Sequence, residues 1–176
     1  MTLTLVGWVD LFTKKCYNDI VVNSLRFCIK NKGLNIYAFC LMTNHLHLIA
    51  NTNHPEELKD TIRDFKKFTS KQLVTSIQEE KESRRSWILN MFAYSARNSK
   101  KHKNFQVWQA GNHAIELFTL DFTWNKVHYI HQNPVKAGFV NSPDEWRYSS
   151  ASNYFDKKDC VLDEVVCLSQ PMRTIK

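Results

Sequence analysis

Residues 34–51 read LNIYAFCLMTNHLHLIAN. The first nine (LNIYAFCLM) form an almost unbroken apolar run of strand length, which predicts a buried strand. Thr43-Asn44 suits a tight turn, and HLHLIAN over 45–51 alternates cleanly as a second strand. Residues two apart on a strand project from the same face. His45 and His47 therefore stand side by side, while Leu46 and Leu48 point the other way into a core.

Working outward, TLTLVGWVDLFT over 2–13 is rich in β-branched and aromatic residues and predicts a strand. Asn18-Asp19 can cap a helix over 20–31, with Ile20, Leu25 and Phe27-Cys28 at roughly helical intervals and Lys32-Gly33 as its stop. Asn53-His54-Pro55 starts a long helix over 55–80, because proline is favoured at the first helical position and Glu56-Glu57 suit its positive end. Residues 80–104 are basic, with a short helical core around Trp87, Ile88, Leu89, Met91 and Phe92, and Ser95–Asn104 reads as a mobile loop. FQVWQ over 105–109 suits a strand, and HAIELFT over 113–119 a strand or a short helix. Asp121 opens a helix that should end at Asn133, since a residue before proline is pushed out of the α region. Trp146, Tyr148 and Tyr154 should pack back on the domain, leaving the last dozen residues free. The order β-α-β-β-α-(α)-β-α predicts an α+β sandwich, a central antiparallel sheet with helices packed on one face.

The length of 176 residues fits one domain over 1–155 with a tail over 156–176. An apolar fraction of 43% can supply a real core, and only 4 Gly and 4 Pro argue against a disordered chain. No apolar run approaches the roughly 20 residues that span a bilayer, and no basic segment followed by an apolar core marks a signal peptide. A cytoplasmic, nucleoid-associated protein is the expectation. The five cysteines are odd in number and contain no CxxC, so they read as free thiols in a reducing compartment. With 24 Lys+Arg against 17 Asp+Glu, the net charge of +7 suits a polyanionic partner; the alternative is a solvated basic surface.

Two imidazoles on one rigid strand face can ligate one metal ion, although a His-x-His pair is common and two half-exposed histidines are the plainer reading. Tyr129 and Asn133 are four apart and share a helix face. Asn133 offers a neutral oxygen of the kind Mg or Mn accepts. Tyr129 taken alone reads better as an amphipathic core residue whose hydroxyl reaches solvent. A phenol titrates near 10 and is a weak nucleophile at neutral pH. A divalent ion held by His45, His47 and Asn133 could polarise a phosphate oxygen while Tyr129 attacks phosphorus in line. The phosphotyrosine would preserve the energy of the broken bond, so strands could be rejoined without ATP.

The run Leu41-Met42-Thr43-Asn44-His45-Leu46-His47-Leu48-Ile49 resembles the HUH motif of single-strand tyrosine transposases. Tyr129-Ile130-His131-Gln132-Asn133-Pro134-Val135-Lys136-Ala137-Gly138-Phe139-Val140 resembles the tyrosine helix of their REP-associated branch, as do Val107-Trp108-Gln109 and Trp146-Arg147-Tyr148-Ser149-Ser150. The resemblance covers residues 5–155. It implies a ferredoxin-like (RRM-like) fold, His45 and His47 as metal ligands, and Tyr129 as the nucleophile of a 5′-phosphotyrosine intermediate. Asn133 stands where some relatives carry Gln as the third ligand. The implied substrate is single-stranded DNA beside a hairpin, the cofactor Mg or Mn. Some relatives are dimers that share a helix between sites and others are monomers, so both states stay open.

Arg63, Lys66, Lys67 and Lys71 stand beside Phe65 and Phe68 on the long helix and could position phosphates, with the two aromatics either stacking on bases or packing in the core. A second basic run, Arg84-Arg85 through Lys100-Lys101-His102-Lys103, could grip a hairpin stem or be a solvated surface. His113 reads as a structural histidine that could lie near the site; His128 and His131 flank Tyr129. Two other functions are open. One is a hydrolase with zinc on His45, His47 and His113; the other is a catalytically silent hairpin-binding protein derived from a transposase.

Overall fold

Leu46 and Leu48 are 0% exposed, which fixes the phase of their strand. In this computed structural model, which describes residues 1–53, 55, 57–97 and 104–170, three antiparallel strands lie in the order β1-β3-β2. They are β1 (Thr2–Thr4), β2 (Leu34–Leu41) and β3 (His45–Thr52). The Thr43-Asn44 turn is closed by Met42 N–H donating to the His45 carbonyl at 2.8 Å. Leu46 pairs with Leu3 and Leu41, Leu48 with Phe39; all are buried on one sheet face. A bulge between Ile36 and Ala38 inserts Tyr37 as an extra residue, so Ile36 and Phe39 both reach that face.

Helices α1 (Lys15–Lys32), α2 (Leu58–Glu79) and α3 (Arg85–Arg97) cover the leucine face. Tyr17, Val21 and Leu25 of α1, Ile62, Phe65 and Leu73 of α2, and Ile88 and Phe92 of α3 fill the core against it. The expectation of helices on one face is incomplete. Helix α4 (Leu120–Lys136) packs Trp124, Val127 and Ile130 on the other face, against Ala38, Cys40, Met42 and Ile49. The apolar run over 34–42 feeds both faces, so alternation is hidden in it. The short α5 (Ala151–Tyr154) follows.

Several expected boundaries move. The strand over 2–13 shrinks to Thr2–Thr4, because a tight turn over Val6–Trp8 with left-handed Gly7 and Trp8 turns the chain away. A Cβ on Gly7 would also stand 2.9 Å from the sulfur of the Met91 side chain, so the left-handed backbone and the close approach both favour glycine here. Helix α1 starts at Lys15 rather than 20, placing Asn18 inside it, with Tyr17 anchored in the core and Lys15 paired to Asp19. Residues 105–109 run beside β1 without becoming a strand: only Leu5 and Trp108 form a bridge, flanked by Val6 N–H to Val107 O and Gln109 N–H to Thr4 O. Residues 113–119 are neither strand nor helix. Pro134 does not end α4, which runs to Lys136. Proline this close to the end forfeits one helical hydrogen bond, and its ring is buried. Left-handed Gly138 then terminates the chain's turn, with Phe139 N–H reaching the Pro134 carbonyl.

The protein's own chain covers both sheet edges. Beyond residues 107–112 on β1, Leu41 N–H donates to Tyr148 O, Ser150 N–H to Phe39 O and Val166 N–H to Ile36 O along β2. Trp146, Tyr148 and Tyr154 do pack back. The packing continues past 165, where Trp124 Nε1–H donates to Ser169 O at 2.7 Å and Leu168 joins the α4 cluster. The expected loop over 95–104 and the basic residues 100–103 lie largely outside the described residues. All five cysteines are free, and no helix among the described residues is long and apolar enough to cross a membrane.

Glu82, between α2 and α3, has a buried carboxylate paired to Lys14 at 2.9 Å and Arg84 at 3.2 Å. Burial pushes its pKa up, but the Arg84 backbone N–H and the two cations outweigh burial and hold it at about 2, below the ordinary 4.5. A depressed carboxylate stabilises the fold fully above pH 4.5 and loses that contribution as pH falls through about 2. Urea unfolding should therefore show wild type losing stability more steeply than Glu82→Gln over that window. Equal slopes would remove Glu82 from the acid response.

Candidate active site

The face opposite the leucines carries Thr2, His45 and His47. Register dictates this: Thr2 pairs with His47 and Thr4 with His45, and the intervening Leu3–Leu46 pair is committed to the core. His45 and His47 approach edge to face, their Nε2 atoms 3.2 Å apart. Each Nδ1 is already engaged, His45 with Asn44 Oδ1 at 2.6 Å and His47 with Thr2 Oγ1 at 2.9 Å. Asn44 Oδ1 accepts only, so it fixes the proton of His45 on Nδ1 and leaves the Nε2 lone pair outward. Asp10 holds that asparagine, accepting from Asn44 Nδ2 at 3.0 Å and from Thr43 Oγ1 at 2.6 Å.

Burial lowers the His45 pKa. Burial, then His45 and the amino-terminal ammonium, lower His47 to about 4, against a smaller opposing hydrogen bond from Asn133. Both rings are thus neutral near pH 7, as metal ligation requires. Two nitrogens ligating one ion at about 2.1 Å stand roughly 3.0–3.4 Å apart, so the 3.2 Å between the two Nε2 atoms fits a shared divalent ion, which would replace the hydrogen bond between them.

Helix α4 brings the remaining candidates. Its buried stripe seats on the sheet, which leaves Tyr129 at the rim, 48% exposed, with its ring centroid 5.7 Å from that of His47. One turn on, Asn133 donates Nδ2–H to the Tyr129 carbonyl at 2.7 Å, and its side chain also hydrogen-bonds His47. The structure therefore brings His45, His47, Tyr129 and Asn133 together within one chain. It does not bring in His113, which is exposed; among the described residues no three His, Cys, Asp or Glu side chains could hold an ion. His131 points away, buried with Nε2 2.8 Å from Ser150 Oγ and its ring against Tyr154. His128 lies against Trp124.

The basic candidates fare unequally. Arg63 is tied to Asp60 and Asp64. Lys66 is half-buried and donates to the Gln109 and Gly111 carbonyls. Arg84 binds Glu82 and the Asp10 carbonyl, and Arg85 binds the Ile77 and Glu80 carbonyls. Lys67 and Lys71 are exposed. Phe65 is buried, whereas Phe68 is exposed. Sequence reasoning missed three neighbours of the site. Lys126 and Lys136 each place Nζ within 6 Å of the Tyr129 ring centroid, at 5.8 and 5.7 Å. Trp8 is 61% exposed, holds a left-handed backbone and turns an edge to His45. The helical repeat could have found the lysines; the tertiary position of Trp8 left no sequence signal.

The family model described as "Transposase IS200 like" matches residues 9–106. A solved structure of a REP-associated tyrosine transposase bound to a REP hairpin is similar, with 17% identity, a TM-score of 0.61, and coverage of 88% of this chain and 76% of that one. At that identity the likeness establishes the shared fold. No curated protein matches in sequence.

Buried neutral imidazoles give a direct test. Burial, with His128 as a lesser cause, lowers His131 to about 4, matching His47. Each ring then withdraws stability as pH falls from 6.5 towards 4. Imidazole NMR titration of the metal-free protein should place both midpoints near 4; midpoints near 6.5 would mean the rings are solvated.

Proposed function

The chain belongs to the IS200-like transposase family, and on that premise we propose that it cleaves and rejoins single-stranded DNA beside a hairpin through a covalent 5′-phosphotyrosine at Tyr129. The observation that carries this reading is the placement of the exposed Tyr129 ring against His47, whose neighbour His45 offers a second nitrogen at 3.2 Å. Nothing in hairpin binding alone calls for a phenol beside two converging imidazole nitrogens.

In the proposed reaction the Tyr129 oxygen attacks phosphorus in line and the phenol proton passes to solvent. The P–O3′ bond breaks, and the departing 3′ oxygen takes up a proton. In the return step a 3′ hydroxyl attacks the same phosphorus, the phenolic oxygen leaves, and one phosphodiester has replaced another. His45, His47 and Asn133 would hold Mg or Mn, which supplies Lewis-acid neutralisation of charge on the non-bridging phosphate oxygens. Mg or Mn suits the set better than zinc, since it joins one neutral oxygen to two imidazoles and leaves open positions for phosphate. Asn44 and Thr2 orient the two rings, and Asp10 holds Asn44. Exposed Lys67 and Lys71 are further candidates for phosphate contact, away from the reacting atoms.

Tyrosine and histidines belong to the same chain here, which supports a site complete in one molecule. Covered sheet edges support the same reading, because neither edge strand is open for pairing with a second copy.

The test is incubation with labelled single-stranded hairpin DNA from the gene's flanks and Mn, followed by a denaturing gel. A slow-migrating covalent band is expected for wild type, lost with Tyr129→Phe and lost with EDTA. Tight DNA binding by metal-loaded wild type without any band would contradict strand transfer and favour a silent hairpin-binding protein.

A further inference from the structure

Successive residues on a helix are rotated by about 100°, so Phe122, Lys126, Tyr129, Asn133 and Lys136 fall within one arc of about 80° along α4. The opposite side, Trp124, Val127, Ile130, His131 and Pro134, is buried. The exposed stripe alternates aromatic and cationic side chains over four turns. Lys126 Nζ lies 5.3 Å from the Phe122 ring centroid and 5.8 Å from that of Tyr129, and Lys136 approaches Tyr129 from the C-terminal side at 5.7 Å. Phe122 is itself exposed.

These lysines differ from several basic residues of α2 and of the segment that follows it. Arg63 and Arg84 are neutralised by carboxylates, and Lys66 is spent on two carbonyls. Among the described residues no ion pair involves Lys126 or Lys136; their partners there are aromatic faces. A cation resting on a ring is held weakly and is released readily to a phosphate, which binds it more strongly. Sequence-tolerant single-strand sites combine cations that track the backbone with rings on which bases stack.

We propose that this stripe of α4 is the track for the scissile strand: Lys126 and Lys136 hold the backbone phosphates on either side of Tyr129, and Phe122 stacks on a base one turn beyond Lys126. The assignment rests on the strand-transfer reading and adds three positioning residues and a direction to it. The strand runs along the helix rather than across it. With a phosphate gripped on each side, the phosphorus between them is held over the phenolic oxygen, where proximity and orientation count most.

Binding is measured in a Tyr129→Phe background, which keeps the ring and prevents cutting, by fluorescence anisotropy of the labelled flanking hairpin strand at several KCl concentrations. For single strands the slope of log affinity against log salt is about −0.7 per phosphate contact. Lys126→Gln and Lys136→Gln should each make the slope shallower by about 0.7, and the pair by about 1.4. Arg at either position should restore it, and Lys30→Gln on the far side of the fold should leave it unchanged. Phe122→Ala should weaken binding roughly tenfold with the slope intact, as loss of stacking does. With Tyr129 present, each Gln variant should slow covalent attachment about tenfold or more. Unchanged slopes and attachment rates in the Gln variants of a protein that does form the adduct would overturn the track alone. Failure of wild type to bind or attach to the hairpin strand would overturn the strand-transfer reading and the track with it.

Discussion

The site depends on the phase of one strand. Leu46 and Leu48 are wholly buried, so His45 and His47 are driven to the opposite face. A slip of one residue would put imidazoles into an apolar core and leucines beside the tyrosine. Several contacts lock the register: the two-residue turn at Thr43-Asn44, the Leu3–Leu46 pair from β1, and the bulge at Tyr37. That bulge lets the chain serve two cores. It sends Ile36 and Phe39 towards α1 and α2, and leaves Ala38 and Cys40 for α4. The small residues at 38 and 40 let α4 sit close on the sheet, which sets Tyr129 beside His47.

Burial then does chemical work. The same desolvation that lowers the pKa of both histidines keeps them neutral, while each Nδ1 is engaged by Asn44 or Thr2. Tyr129 remains exposed at the rim, where a strand of DNA can reach it. The net charge of +7 is not spread evenly in effect. Arginines at 84 and 85 tie helices and loops together and Arg63 pairs with Asp60 and Asp64 of its own helix, whereas the lysines of α4 lie over aromatic rings beside the proposed nucleophile.

Strong local signals were legible in the sequence. HLHLIAN gave its strand and the shared face of its histidines, and Tyr129 with Asn133 gave a helix face. Failures occurred where tertiary context overrides local preference. Asn133-Pro134 reads as a helix end, yet the helix continues because one lost hydrogen bond near its end is offset by burying the proline ring. FQVWQ has strand composition, but the Val6–Trp8 turn leaves it only an irregular path beside β1. Charge runs identify cations without saying which are spoken for; Arg63 and Lys66 become structural only once Asp60, Asp64 and the Gln109 carbonyl are in place. Lys126 and Lys136 are inconspicuous singly and gain meaning from the position of Tyr129.

The central claim is that one chain supplies both the histidine pair and the tyrosine of each site. Complementation tests it most directly: His47→Ala and Tyr129→Phe, each expected to be inactive, are mixed and incubated with the flanking hairpin strand and Mn, alongside wild type. A site complete within one chain predicts that the mixture forms no covalent adduct while wild type does. Adduct formation by the mixture would show that the tyrosine of one molecule serves the histidines of another, contradicting the account.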